Sequence, residues 1–346
     1  MSELSHADVL AARERVIGSV RPVTLTRGDG LDLGLAGTET DHELWLALEF
    51  MQFTGSFKAR GALNFLLANQ QAGRLGEAGV TIASGGNAGL ACAWAAGQLG
   101  SHATVFLPQT APQVKVARLR GYGAQVRLVG SEYAEALAAC QDFAERSGAL
   151  ASHAYDDPLI AAGAGTLMEE IHAALPELDT VVVAVGGGGL LAGVATAAAS
   201  HGVRVVAVEP EGCAALAAAL RAGHPVDVPV ESIAADSLGA RRATVMAIQA
   251  ARQGDVVSVL VPDAAIIAAR QQLWDSRRLV VEHGAATALA ALRVSAGPAE
   301  GPPAGPAEGP PGKRPGYGYR PAPGERVAVV LCGANTDPSD LVERPG

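Results

Sequence analysis

Cysteine is scarce and scattered: Cys92, Cys140, Cys213 and Cys332 are the only four in 346 residues, and none sits in a CxxC spacing. Neither a disulfide framework nor a cysteine-based zinc site is therefore indicated. Charge is sparse too, at 18% of residues, and no basic run occurs. With a net charge of −9, this argues against nucleic acid or an anionic membrane surface as partner. The first ten residues lack the basic-then-apolar layout of a signal peptide. The stretch 181–199 carries no charge and approaches membrane-span length. However, Gly186, Gly187, Gly188 and Gly189 lie inside it, and such a run fits a strand-to-helix turn better than a spanning helix. A soluble, cytoplasmic protein is expected.

What the chain has in abundance is apolar residues, 49% of the total, and length enough for two lobes at roughly 100–200 residues each. Short β-branched runs at 81–83, 103–107, 126–129, 181–185, 203–208, 256–261 and 327–331 alternate with Ala-rich segments of helical character. The latter fall at 88–99, 112–119, 133–146, 159–174, 190–200 and 264–276, and a further helix begins near Lys58. Several strands are apolar at every position, as expected of a parallel sheet covered on both faces, so an open α/β fold is predicted. Residues 297–323 break the pattern. The heptapeptide Gly-Pro-Ala-Glu-Gly-Pro-Pro occurs twice there, and such a tract cannot bury a core, so it reads as a disordered insertion. Gly does not recur at every third position, which excludes a collagen-like helix.

In open α/β folds ligands collect at the carboxyl ends of the strands, and the glycine clusters fall there. Ser84, Gly85, Gly86, Asn87 and Ala88 join a strand to a helix, where free backbone N–H groups suit a carboxylate or phosphate. Gly186 to Gly189, followed by Leu190, invite close approach of a phosphate, although they match neither the P-loop nor the spaced dinucleotide pattern. Lys58, between Phe57 and Ala59, stands in the first turn of a helix, where the macrodipole disfavours a cation. Buried in such surroundings, its amine would have a lowered pKa and act as a nucleophile; an ordinary solvated lysine is the bland alternative. Cys332, before Gly333, Ala334 and Asn335, reads locally as a small core residue.

The order and spacing of these four motifs together resemble the fold type II pyridoxal-phosphate enzymes, in the threonine/serine dehydratase (serine racemase-like) branch, over nearly the whole chain. Supporting matches are Tyr155-Asp156-Asp157-Pro158, Gly165-Thr166, Val208-Glu209-Pro210 and Val281-Glu282. The resemblance implies a tryptophan synthase β-like fold with two open twisted α/β domains and pyridoxal 5′-phosphate in the cleft between them. The large domain would comprise 1–75 and 155–346, the small domain 76–154. Lys58 would be the Schiff-base lysine and the catalytic base. Phe57, Asn87, Gly186, Gly187, Gly188, Gly189, Leu190, Glu282 and Cys332 would also line the cofactor, and Ser84 to Ala88 would bind the substrate carboxylate. The implied reaction is β-elimination from a β-hydroxy amino acid, threonine or serine, to a 2-oxo acid and ammonia, by a homodimer.

Departures from the branch pattern bear on substrate. Ala88 replaces the usual His, Glu282-His283 the frequent Glu-Pro, and Ala164 a frequent Gln. A racemase of this branch would need a serine at the position of Gly85, and glycine has no proton to move. A cysteine synthase-like β-replacement enzyme, a dehydratase for 3-hydroxyaspartate and a non-catalytic binding protein are the remaining alternatives. Racemase-like members place a divalent ion on a Glu and an Asp six residues later; here Glu209 is followed by Ala215, so no metal site is expected. Arg241 and Arg242 read first as a solvated turn, and more sharply as a reader of an acidic substrate side chain. The chain ends ten residues after Thr336, so no regulatory domain is expected there.

Overall fold

The computed structural model describes residues 3–28, 42–294, 297–298 and 316–342. Its strands are β1 (Leu25–Arg27), β2 (Glu43–Ala47), β3 (Val80–Ile82), β4 (Ala103–Leu107), β5 (Gln125–Leu128), β6 (Leu150–Ala151), β7 (Thr180–Ala184), β8 (Arg204–Pro210), β9 (Val256–Val261), β10 (Gly297–Pro298), β11 (Gly316–Tyr317) and β12 (Arg326–Val330). They form two sheets, of order β1-β2-β12-β7-β8-β9-β11-β10 and β5-β4-β3-β6. The smaller sheet is wholly parallel; the larger is parallel except for its outermost pairs, β1 with β2 and β10 with β11.

Covering on both faces explains the apolar strands: every residue of β4 and β7 is buried, as are all but the first of β8 and β12. The larger core gathers β7, β8, β9 and β12 with helices Pro158–Ala174, Gly189–His201, Asp263–Arg277 and His283–Ala290. A second core joins the small sheet to helices Lys58–Gln71 and Asn87–Gln98. Helix Pro158–Ala174 lies between the two, packed against both Gly189–His201 and Lys58–Gln71. Its start is set by Asp157, whose carboxylate accepts from the N–H groups of Leu159 (2.7 Å) and Ile160 (3.2 Å), with Pro158 at the first helical position.

The helix that begins at Lys58 is rooted by an ion cluster. Arg60 is fully buried, and its guanidinium forks onto Glu49 (2.6 and 3.0 Å) and Glu170 (2.7 and 2.9 Å). It also donates to Thr166 Oγ1 and the Arg21 carbonyl, each at 3.2 Å. Burial works against the guanidinium charge, but Glu49 and Glu170 outweigh it and hold Arg60 protonated.

The segment 297–323 departs from expectation in part. Residues 299–315 lie outside the described residues, but 316–323 are not an unstructured tract. Gly316–Tyr317 pairs in parallel with β9, and Tyr319 packs on the larger core. The Tyr319 hydroxyl donates to the buried Glu325 carboxylate (2.5 Å), which also accepts from Thr180 (2.6 Å). The tyrosines supply packing and a polar anchor that the Pro/Gly composition conceals.

Candidate active site

Three loops at carboxyl ends of strands meet here: the one after β3 from the small sheet, and those after β7 and β12 from the large one. Lys58 opens its helix beside them. The turn before it is strained, since Thr54 has φ 62° and ψ 7°, a left-handed conformation unusual for a β-branched residue. The strand end at Cys332 and Gly333 holds this turn: Ser56 bridges to Gly333, the Phe57 N–H donates to the Cys332 carbonyl (3.0 Å), and that of Ala334 to Gly55 (2.9 Å).

The Lys58 Nζ donates to the Ala154 carbonyl (2.7 Å) and lies 4.7 Å from the centroid of the Phe57 ring. Desolvation pushes its pKa down to about 8, against the opposing influence of Cys332 and Glu282. Below that value the amine carries its proton; above it the amine is free. In cofactor-free protein, the rate of Lys58 acetylation by a dilute neutral anhydride should therefore rise with pH through a midpoint near 8 and level off above about pH 9. Peptide mass spectrometry across pH 6–10 reads it. A rise continuing to roughly 10.4, the ordinary lysine value, would show an unperturbed surface amine.

Burial pushes the Cys332 thiol up to about 12, so it is neutral at physiological pH. Burial likewise raises Glu282 to about 7, although Asn87 donates to it. Asn87 sits at the centre of a polar relay: its Nδ2 donates to Glu282 Oε1 (2.7 Å), and its Oδ1 accepts from Asn335 Nδ2 (2.6 Å), which also donates to the Thr54 carbonyl (2.7 Å). Arg118, on helix Gln113–Gly121, donates to Asn335 Oδ1 from the small-sheet side, and Lys115 of the same helix pairs with Asp236 (2.6 Å).

Ser84, Gly85, Gly86 and Asn87 are half-buried at the end of β3, and Ala88 is buried. Helix Asn87–Gln98 starts there with no side chain capping it, leaving its first N–H groups for an anion. After β7, helix Gly189–His201 also starts uncapped, with Leu190 buried in its first turn. Side chains are excluded from that turn. A Cβ on Gly187 would lie 2.3 Å from the Tyr155 ring; one on Gly188, whose φ is +94°, would lie 2.4 Å from Ala247 Cβ. Tyr155 follows the Ala154 carbonyl that holds Lys58, so one loop supports both the amine and the glycine turn.

These residues fit pyridoxal phosphate. The glycine turn is closed to side chains, as a phosphate seat must be; Lys58 offers a desolvated amine for an aldehyde, and Cys332 a neutral buried thiol. The buried hydroxyls of Thr54 and Ser56 lack partners among the described residues, leaving polar capacity beside the amine.

Two roles weighed on the sequence fall elsewhere. Arg241 and Arg242 are exposed, and Arg242 forks onto Asp227 (2.8 and 2.9 Å), so the solvated turn is what the structure has. The guanidinium that reaches the cleft is that of Arg118. Glu209 caps helix Ala215–Ala222, accepting from Leu216 (2.6 Å) and Ala217 (2.8 Å), and burial raises it to about 8. Sequence reading also gave no role to Asn335, Ala154 or Arg118. Asn335 stood inside a quoted motif, but nothing local marks the other two.

A family profile described as pyridoxal-phosphate dependent enzyme matches residues 29–303. Among individual proteins, the chain is 42% identical over 139 residues to an L-threonine ammonia-lyase of Geobacter sulfurreducens, a match covering 40% of this chain and 34% of that enzyme. The chain thus aligns with about a third of that relative's length. Among solved structures it is similar to threonine deaminase isoform 2 of Solanum lycopersicum, in processed form, with a TM-score of 0.80 and 27% identity over 97% of this chain and 85% of that one. It is similar as well to a pyridoxal 5′-phosphate-dependent aspartate racemase, with a TM-score of 0.82 and 26% identity over 99% and 98% of the two chains.

Proposed function

The chain belongs to the pyridoxal-phosphate dependent enzymes, and from that premise we propose that it dehydrates and deaminates a β-hydroxy amino acid, L-threonine or L-serine, to a 2-oxo acid and ammonia. The observation that carries this reading is the Lys58 amine, desolvated to a pKa of about 8 and held by the Ala154 carbonyl, whose neighbour Tyr155 packs against the glycine turn.

When bound, the cofactor supplies an electron-withdrawing ring conjugated to the substrate amine. Lys58 would hold it covalently, and Gly186 to Gly189 with Leu190 would seat its phosphate through backbone N–H groups. Cys332 would face the ring nitrogen with a thiol that brings no charge, and Asn87 would bond the ring hydroxyl. The N–H groups at Ser84 to Ala88 would fix the substrate carboxylate and so orient its Cα–H toward Lys58. Once the substrate amine has displaced it from the cofactor, the freed neutral Lys58 Nζ would take the Cα proton, and that proton balances the β-hydroxyl that leaves as water. A lysine of ordinary pKa would serve poorly at neutral pH. Closure of the cleft by Lys115 and Arg118 would exclude water while this happens.

Residues 76–154 would act as the small domain and 1–75 with 155–346 as the large one, the enzyme being a cytoplasmic homodimer. Among the described residues, no helix is long and apolar enough to cross a membrane. The likeness to an aspartate racemase keeps racemisation as the second reading, but Gly85 offers no proton on the opposite face of Cα. Purified holoenzyme incubated with L-threonine, L-serine and 3-hydroxyaspartate tests the assignment. Release of 2-oxo acid with equimolar ammonia supports it; inverted amino acid without 2-oxo acid would replace it with racemisation.

A further inference from the structure

Far from Lys58, three helices bring two imidazoles and a carboxylate to one point. His6 opens helix His6–Val16, Glu169 stands within Pro158–Ala174, and His201 closes Gly189–His201. The Glu169 Oε1 lies 2.8 Å from His6 Nε2 and 3.0 Å from His201 Nε2, and all three atoms fall within 4.8 Å of one another. The Glu169 side chain is only 7% exposed, and its hydrogen-bond partners among the described residues are these two rings. A buried carboxylate needs compensating positive charge.

A second observation comes from His172, one turn after Glu169. Its ring stacks on that of His201 at 3.9 Å between centroids, and its buried Nδ1 has no hydrogen-bond partner among the described residues. The stack fixes the orientation of His201, and the unpaired nitrogen leaves polar capacity beside the cluster. An open cleft of about 450 Å³, lined by Ser5, His6, Thr196, Ser200 and Gln253 among others, gives the cluster access to solvent.

We propose that His6, Glu169 and His201 bind a divalent transition-metal ion of the zinc class. Two imidazole nitrogens and one carboxylate oxygen suit Zn²⁺, with water as fourth ligand. Tetrahedral zinc would hold these donors about 3.3 Å apart, so each imidazole nitrogen need move only a few tenths of an ångström away from the Glu169 oxygen. The glycine cradle begins the helix that His201 ends, and 13 residues of helix put roughly 18 Å between them. The ion is therefore structural: it ties the amino-terminal helix to the two helices beneath it, and takes no part in chemistry at Lys58.

Holoenzyme stripped with a chelator and titrated with ZnCl₂ alone tests this by calorimetry. Wild-type protein should bind one equivalent and gain thermal stability. His6→Gln should weaken binding by more than about 100-fold and abolish the zinc-induced rise in Tm. Glu169→Gln should do the same, and if that variant fails to fold, His6→Gln decides, since His6 is partly exposed at a helix end. Binding of Co²⁺ should give visible d–d absorbance that both His6→Gln and His201→Gln lose. Absence of stoichiometric zinc, or equal zinc affinity in His6→Gln, would overturn the proposal and leave Glu169 as a plain acceptor of two imidazole hydrogen bonds.

Discussion

Replacing Lys58 by alanine should lower turnover by about 10⁴-fold or more while leaving the protein folded. Two functions vanish with one side chain: the covalent hold on the cofactor and the base that receives the Cα proton. The fold should tolerate the loss, because the side chain is only partly buried and makes one hydrogen bond, to the Ala154 carbonyl. Steady-state assay of 2-oxo acid and circular dichroism read the two halves of this expectation. The visible absorbance of bound cofactor should also lose its response to substrate. A variant within tenfold of wild type would remove Lys58 from the mechanism altogether.

Arg60→Ala is expected to be the most damaging single substitution for stability. It leaves Glu49 and Glu170 facing each other with no cation between them, and breaking such a buried cluster costs about 3–5 kcal/mol. Arg60→Lys should be intermediate, since it keeps the charge but loses the fork that engages both carboxylates. Chemical denaturation gives the midpoints. Because Arg60 lies two residues beyond Lys58 on the same helix, both variants should also bind cofactor more weakly. A midpoint for Arg60→Ala equal to that of wild type would mean the cluster contributes nothing net.

The parts of the fold legible in the sequence are those with a strong local signal. The strands β4, β7, β8, β9 and β12 announce themselves as mostly apolar, β-branched runs, and their predicted bounds fall within two residues of those observed. Strands β1, β6, β10 and β11 do not, because two or three residues at a sheet edge carry too little pattern to stand out. Helices Ala215–Ala222 and Val245–Gln253 do not stand out either, since each is only eight or nine residues long. At the candidate site, Lys58 and the glycine turns are motifs in themselves. What could not be read was the relay through Asn335 and the acceptor at Ala154. Those contacts join residues 248 and 96 positions apart, and only the folded topology makes them neighbours. Arg60 carries a signal of its own, since an arginine set among Ala59, Gly61, Ala62 and Leu63 needs buried carboxylates as partners.

The pairing of β11 and β10 beyond β9 bears on how this protein behaves in concentrated solution. Strand β9 reads Val-Val-Ser-Val-Leu-Val, with no charge and no proline, the composition of segments that template intermolecular β-pairing. One of its edges is satisfied by β8; the other is shielded over Val259 and Leu260 by a two-residue strand, itself followed by another of two residues. Edges that short offer little for a second chain to extend. A shortened chain that removed the Pro/Gly tract together with Gly316 and Tyr317 would uncover that edge of β9. It should form soluble aggregates or fibrils on warming, whereas one trimmed only within 299–315 would keep the shield and stay dispersed.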